Sequence, residues 1–145
     1  APYLPTLKQR QEEALDLLDL KPGQTLLELG SGDGRMLVAA ARRGIKSIGL
    51  ELNPLLVVYS WLITRRYRGL VSVKWRNFWA VRLPESNGIY VFLLDAYMSK
   101  LDNKITQEIH KPVKLVSYAF KLPGRKPITD KNGLHLYKVE PDKKP

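Results

Sequence analysis

The run Glu28-Leu29-Gly30-Ser31-Gly32-Asp33-Gly34-Arg35 sets three glycines and two acids within eight residues. Such a backbone turns sharply and lets a ligand lie against it with no Cβ in the way. Three loop chemistries share that logic, and residue identity separates them. A phosphate-cradling loop needs Gly-Lys followed by Ser or Thr, and none follows here. A dinucleotide loop carries glycine or a small residue where Arg35 stands. Charge gives a second test, because a pyrophosphate beside Asp33, with Glu28 close behind, would meet like charge. A cationic ligand without phosphate suits an acid-flanked turn better. S-adenosylmethionine, with its sulfonium and ammonium groups, is such a ligand. Its candidate contacts in the turn are Glu28, Gly30, Ser31, Gly32, Asp33 and Gly34.

Glu51 stands 21 residues beyond Gly30, where a strand-end acid can accept hydrogen bonds from both hydroxyls of a ribose. In that place it carries little packing, and Leu52 beside it joins the candidate cofactor contacts. Asn77-Phe78-Trp79 follows a third strand. Asn77 could bond an adenine edge and Phe78 or Trp79 could cover its face, or both rings are ordinary core. Asp95-Ala96-Tyr97 follows the fourth strand and faces the same site if that strand runs to Leu94. Otherwise Asp95 caps the next helix.

The elements that must hold these residues can be read in order. Thr6 caps a first helix reaching Leu18 or Asp19, and Lys21-Pro22-Gly23 breaks it. Thr25 to Leu29 is a short buried strand, and a helix carrying Met36 to Ala41 follows the glycine turn. Gly44 ends that helix, and Ile45 to Glu51 is the second strand. Asn53 caps a helix with Pro54 in its first turn, ending near Arg68-Gly69. Its apolar run, Leu55 to Ile63, is too short to span a bilayer and reads as a buried helix. Val71 to Trp75 and Ile89 to Leu94 are strands three and four. Met98 to His110 is a helix, Val113 to Phe120 a fifth strand, and Leu134 to Val139 a last one after the Asn132-Gly133 turn. Alternating strands and helices predict a Rossmann-like, doubly wound and mostly parallel sheet. The last strand follows a turn rather than a helix, so it enters antiparallel at one edge. The chain reads as one domain, 1–145, with the helix over 6–19 packing on the cofactor side and a frayed tail over 141–145.

Composition narrows the chemistry further. The 145 residues include no cysteine and only two histidines, which removes thiolate chemistry and makes a histidine-built metal site improbable. The net charge of +10 favours acidic partners: nucleic acid, anionic lipid or an acidic protein. The chain opens at Ala1 without methionine and shows no secretory signal. The expectation is a cytoplasmic protein, with a membrane anchor upstream of residue 1 as the alternative.

On these motifs the chain resembles seven-β-strand methyltransferases, through Glu28-x-Gly30-x-Gly32-x-Gly34 with Glu51. Tyr3-Leu4-Pro5-Thr6, Leu29 to Arg35, Asn77-Phe78-Trp79 and Phe120-Lys121-Leu122-Pro123 extend that resemblance. They look like the subgroup containing the lysine methyltransferases of mitochondrial adenine nucleotide translocase and of the ATP synthase c-ring protein, with prokaryotic relatives. The subgroup tends to have an acid at the place of Asn77 and a proline near that of Asp95. The resemblance implies S-adenosyl-L-methionine as methyl donor, S-adenosyl-L-homocysteine as product and a protein lysine as acceptor, with a membrane protein among the candidate substrates. It also implies that Tyr3 and Thr6 fold over the cofactor while Glu28 and Gly30 hold its methionine end.

Methyl transfer to an amine is an in-line displacement, for which an enzyme mainly supplies alignment and a neutral nucleophile. Asp95, Tyr97 and Tyr3 are the candidate catalytic residues lining a dry, aromatic channel that lowers the pKa of an entering lysine. The alternative is a nucleic-acid methyltransferase, its basic clusters Arg42-Arg43, Arg65-Arg66-Arg68 and Lys121 to Lys131 following a phosphate backbone. Against it, the fourth strand lacks the Asn/Asp-Pro-Pro-aromatic run of base-amino methylating enzymes.

Overall fold

In the computed structural model, which describes residues 5–142, the core is a seven-stranded sheet. Helix α1 (Pro5–Leu18) leads into β1 (Thr25–Leu29), α2 (Arg35–Arg42), β2 (Lys46–Glu51) and α3 (Pro54–Thr64). A single 3-10 turn over Arg65–Tyr67 extends α3 before β3 (Val71–Trp75) and β4 (Gly88–Val91). A second 3-10 turn, Asp95–Tyr97, opens α4 (Met98–Glu108), and β5 (Val113–Tyr118), β6 (Thr129–Lys131) and β7 (Leu134–Val139) follow.

The strand order is β3-β2-β1-β4-β5-β7-β6. The five strands from β3 to β5 pair in parallel, and β7 pairs antiparallel with β5. Strand order reverses between β1 and β4, so the crevice beyond their carboxyl ends is where such sheets bind ligands. Leu26, Tyr90 and Val116 on one face pack against Ala14, Leu15 and Leu18 of α1 and Met36 and Ala40 of α2. The other face buries Leu27, Ile89 and Leu115 against Met98, Leu101 and Ile105 of α4. The spacing of those α4 residues is why that segment is helical and faces the sheet. Since α1 joins β1 through a short link, it runs antiparallel to it and directs its amino end to the carboxyl edge of the sheet.

Several boundaries differ from the sequence reading. The first helix takes in Pro5, so Thr6 lies within its first turn and is not its cap. Proline fits there because its missing N–H would be unsatisfied anyway. Tyr3 and the side chain of Thr6 lie outside the described residues. The fourth strand ends at Val91 rather than Leu94. Its neighbours explain this, because β1 and β5 offer Val91 its last partners, Leu29 and Ser117, before β1 turns away at Gly30. A short strand β6, unread from the sequence, pairs with β7 and lies outside it at that end of the sheet. Asn132 and Gly133 link the two with φ of 54° and 80°, as a type I′ hairpin requires. Asp142 donates its backbone N–H to Thr106 O, which holds the chain end against α4 to that residue.

The largest departure is α3. Only Val57, Ser60 and Thr64 of this helix are buried, while Leu55, Val58, Tyr59, Trp61 and Leu62 are exposed. The apolar run is therefore a surface helix, not a buried one.

Candidate functional site

The glycine turn leaves β1 and is pinned to the end of β2. Gly30 N and Ser31 N both donate to Leu50 O, at 2.8 and 3.1 Å. Gly32 N donates to Glu51 Oε1 at 2.7 Å, and Asn53 N donates to Glu51 Oε2 at 2.9 Å. Glu51 thus ties the turn to the start of α3, where Asn53 Oδ1 caps the helix by accepting from Leu55 N at 3.0 Å. Spacing alone places Glu51 but carries no hint of this second duty. Asp33 shapes the other side, accepting from Arg35 N and pairing with the Arg35 guanidinium at 2.9 Å.

Gly30 and Gly32 both adopt positive φ, and a Cβ built on either would meet nothing within 4 Å. Among the described residues the space above the turn is open, as a cradle for a ligand must be. Gly34 differs. Its φ is 84°, and a Cβ there would lie 2.9 Å from Ser60 Oγ and 3.1 Å from Ser60 Cβ. Ser60 is buried and donates to Gly32 O at 3.1 Å, so α3 braces the turn from behind. Sequence reasoning passes over Ser60, although a hydroxyl inside an apolar run is an available signal. Gly34→Ala should cost about 1–3 kcal/mol of stability through backbone strain and this contact. Thermal melting checks it, and an unchanged midpoint would contradict the packing just described.

The acids converge on the turn. Glu28 is buried on β1, and its Oε1 has no hydrogen-bond partner among the described residues. Burial holds its carboxyl well above the usual carboxylate range, and the nearby charges of Asp33 and Glu51 push the same way. Tyr90, its register partner on β4, has its hydroxyl pushed up by burial and by Glu28, so it stays neutral. Ser31 Oγ is a second buried polar atom without a described partner. An unpaired buried polar group is costly, and two of them beside an open cradle are matched by a ligand that carries donors. The donor set is acidic, which fits a cation and disfavours a phosphate. Among the described residues, no cluster of His, Asp and Glu could hold a metal.

Asn77, Phe78 and Trp79 sit beyond the carboxyl end of β3. Asn77 Oδ1 accepts from Trp79 N at 3.0 Å and Ala80 N donates to Asn77 O, so Asn77 builds a tight turn. Phe78 and Trp79 are half-buried against the α4-side core, with ring centroids 4.6 Å apart. Trp79 also lies 6.2 Å from Tyr97, and Lys100 Nζ sits 4.5 Å above its ring. The structure therefore joins Trp79 with Tyr97, and adds Lys100, which the sequence does not suggest. Asp95 is exposed, and neither the 3-10 turn nor α4 has a side-chain cap, so Asp95 does not cap the helix. Leu52 is exposed next to Glu51, with its carbonyl accepting from Trp75 Nε1. His135 is buried beside Asp130 on the far hairpin, away from this site. A cavity lined by Leu83, Ser86, Glu108 and His110 opens at the amino ends of β4 and β5, the wrong edge of the sheet for a ligand.

The sheet order and the acid-flanked turn at its switch point define a Rossmann-like methyltransferase fold. A solved RNA methyltransferase from Salinibacter ruber, in complex with S-adenosyl-L-homocysteine, has this fold with a TM-score of 0.84 at 24% identity. That match covers 100% of this chain and 97% of that one. The model of the ANTKMT methyltransferase domain family matches residues 28–129, and the chain belongs to that family. It is 34% identical over 130 residues to adenine nucleotide translocase lysine N-methyltransferase from Mus musculus, covering 88% of this chain and 56% of the relative. It is 30% identical over 129 residues to the Homo sapiens lysine N-methyltransferase named for the C subunit of ATP synthase, covering 84% and 53%. The chain thus spans about half the length of these curated relatives.

Proposed function

We propose that the chain binds S-adenosyl-L-methionine over the Gly30–Gly34 turn and transfers its methyl group to a lysine side chain of a protein. The observation that carries the cofactor half is Glu28: a buried acid beside Asp33 and Glu51 whose Oε1 has no partner among the described residues, at a turn those residues leave open. Family membership and the names of the lysine-methylating relatives support the acceptor half.

In this reading Glu28 and Gly30 hold the amino-acid end of the cofactor, and Glu51 keeps acceptor capacity for the ribose hydroxyls while it anchors Gly32. Leu52 and Phe78 offer apolar surface to the adenine. The cofactor supplies a methyl group already activated by its sulfonium. The chain's own task is then to orient and dry the acceptor amine. Trp79 and Tyr97 form the described aromatic wall, with Tyr3 assigned by resemblance. Lys100 on the Trp79 face supports this use of the wall, since an ammonium group already rests there. Its positive charge also favours the neutral form of a second amine brought close. Asp95, exposed two residues before Tyr97, is the candidate acid to meet the incoming lysine, although β4 stops at Val91 and does not carry it to the site.

The test is incubation with methyl-labelled S-adenosylmethionine and fractionated lysate, with protease and RNase arms. Methyllysine in a protein of the membrane fraction is the expected product. Methylated RNA without methyllysine would overturn the acceptor assignment in favour of a nucleic-acid enzyme.

A further inference from the structure

Helix α3 is built inside out. Its buried face carries Val57, Ser60 and Thr64, whose hydroxyls are satisfied by Gly32 O and Ser60 O. Its exposed arc carries Leu55, Val58, Tyr59, Trp61 and Leu62, with Leu55 78% and Leu62 56% exposed. A surface helix of a globular domain normally shows the reverse. Trp75 on the neighbouring edge strand β3 extends the apolar surface, also more than half exposed. Both indole N–H groups are already used, Trp61 Nε1 donating to Val73 O and Trp75 Nε1 to Leu52 O. The rings therefore have no N–H left to direct at water. A contiguous apolar patch of this kind marks an interaction surface.

Charge identifies the partner. Between Leu52 and Pro84 the sequence has no acidic residue, but it has Arg65, Arg66, Arg68, Lys74, Arg76 and Arg82. The first three directly follow the apolar arc, and all six are exposed. A groove beside the edge strand is lined by Arg65 and Arg68 together with Trp61, Thr64, Val71 and Val73. Cation and apolar wall together match a phospholipid, whose phosphate and acyl chain are joined. Nucleic acid would use the arginines but leave Leu55, Val58 and Leu62 in water. With 11 residues, α3 is too short to cross a bilayer and suited to lie in its interface.

We propose that α3, with Trp75 and the arginines after it, docks the protein on an anionic membrane surface. Asn53, which opens α3, is hydrogen-bonded to Glu51, so docking would hold the carboxyl edge of the sheet close to the bilayer. This proposal stands apart from the choice of acceptor, since the surface lies outside the turn and the aromatic wall.

The test is co-sedimentation of the chain with phosphatidylcholine vesicles, with and without about one-third phosphatidylserine, over a salt series. Binding is expected to need phosphatidylserine and to weaken as salt rises. Charge reversal R65E/R66E should weaken it by about fivefold or more per residue. The pair V58Q/L62Q keeps good helix formers and should weaken it by about tenfold or more. Circular dichroism and S-adenosylhomocysteine titration of that pair should match the parent, which separates loss of docking from loss of fold or cofactor site. Absence of vesicle binding at low salt would overturn the proposal. So would V58Q/L62Q binding vesicles like the parent, or a parental dimer that the same pair dissociates. Tight RNA binding with vesicles ignored would assign the arginines to nucleic acid and equally overturn it.

Discussion

Glu28→Gln should weaken S-adenosylhomocysteine binding by about 10- to 100-fold, while the free protein melts no lower than the parent. A hydrogen bond to a charged group contributes about 1.5–3 kcal/mol, which gives the first figure. The second follows from the state of Glu28 without ligand. Its carboxyl is buried beside the charges of Asp33 and Glu51, and Oε1 has no partner among the described residues, so its folded pKa lies above the ordinary 4.5. The folded chain then binds that proton more tightly than the unfolded one. The stability this confers is present below the unfolded pKa and is lost as pH rises from there through the raised folded value. Glutamine carries no charge to desolvate, and the variant escapes that loss. Binding of a cationic ligand requires the ionised acid, so affinity in the parent should rise with pH across the same window. In the variant that rise should flatten. Thermal melting and calorimetry over pH read both effects. A variant that binds as tightly as the parent, or that melts well below it, would show that Glu28 is a structural acid.

The second large effect is at Glu51. Its carboxylate accepts from Gly32 N at 2.7 Å and Asn53 N at 2.9 Å, so Glu51→Ala removes two anchors of the turn as well as the proposed ribose acceptor. Cofactor binding should fall by about 1.5–3 kcal/mol or more, and stability by about 1–3 kcal/mol for the bonds left unmade. Glu51→Gln retains one acceptor oxygen and should recover most of the stability but only part of the affinity. This pairing separates the two duties. If the alanine variant binds and melts like the parent, neither the ribose placement nor the anchoring role is correct.

The glycine turn and the elements around it are legible in the sequence because their signals are local. Thr25–Leu29 and Val71–Trp75 are bounded by turn residues, and their sequence limits are the ends observed. Asn53-Pro54 announces its cap, and the glycines announce the turn. What escapes depends on neighbours distant in sequence. An apolar run does not say which face of its helix the sheet will accept, and here the sheet side takes Ser60, because Gly32 O and the missing Cβ of Gly34 leave room for a hydroxyl. Strand β6 is three residues, two of them charged, with no hydrophobic alternation to read. It forms because Asn132-Gly133 folds it back onto β7, where Thr129 pairs with Leu136. The end of β4 is set by where β1 stops offering partners at Leu29, not by its own apolar sequence.

The proposed activity turns on the acid-flanked turn holding S-adenosylmethionine rather than a phosphate-bearing dinucleotide. Isothermal titration of the unmodified chain with S-adenosylhomocysteine, and separately with NAD, tests it most directly. Saturable binding of S-adenosylhomocysteine at one site per chain is expected, with no heat from NAD. Binding of NAD as tight as that of S-adenosylhomocysteine, or tighter, would contradict it.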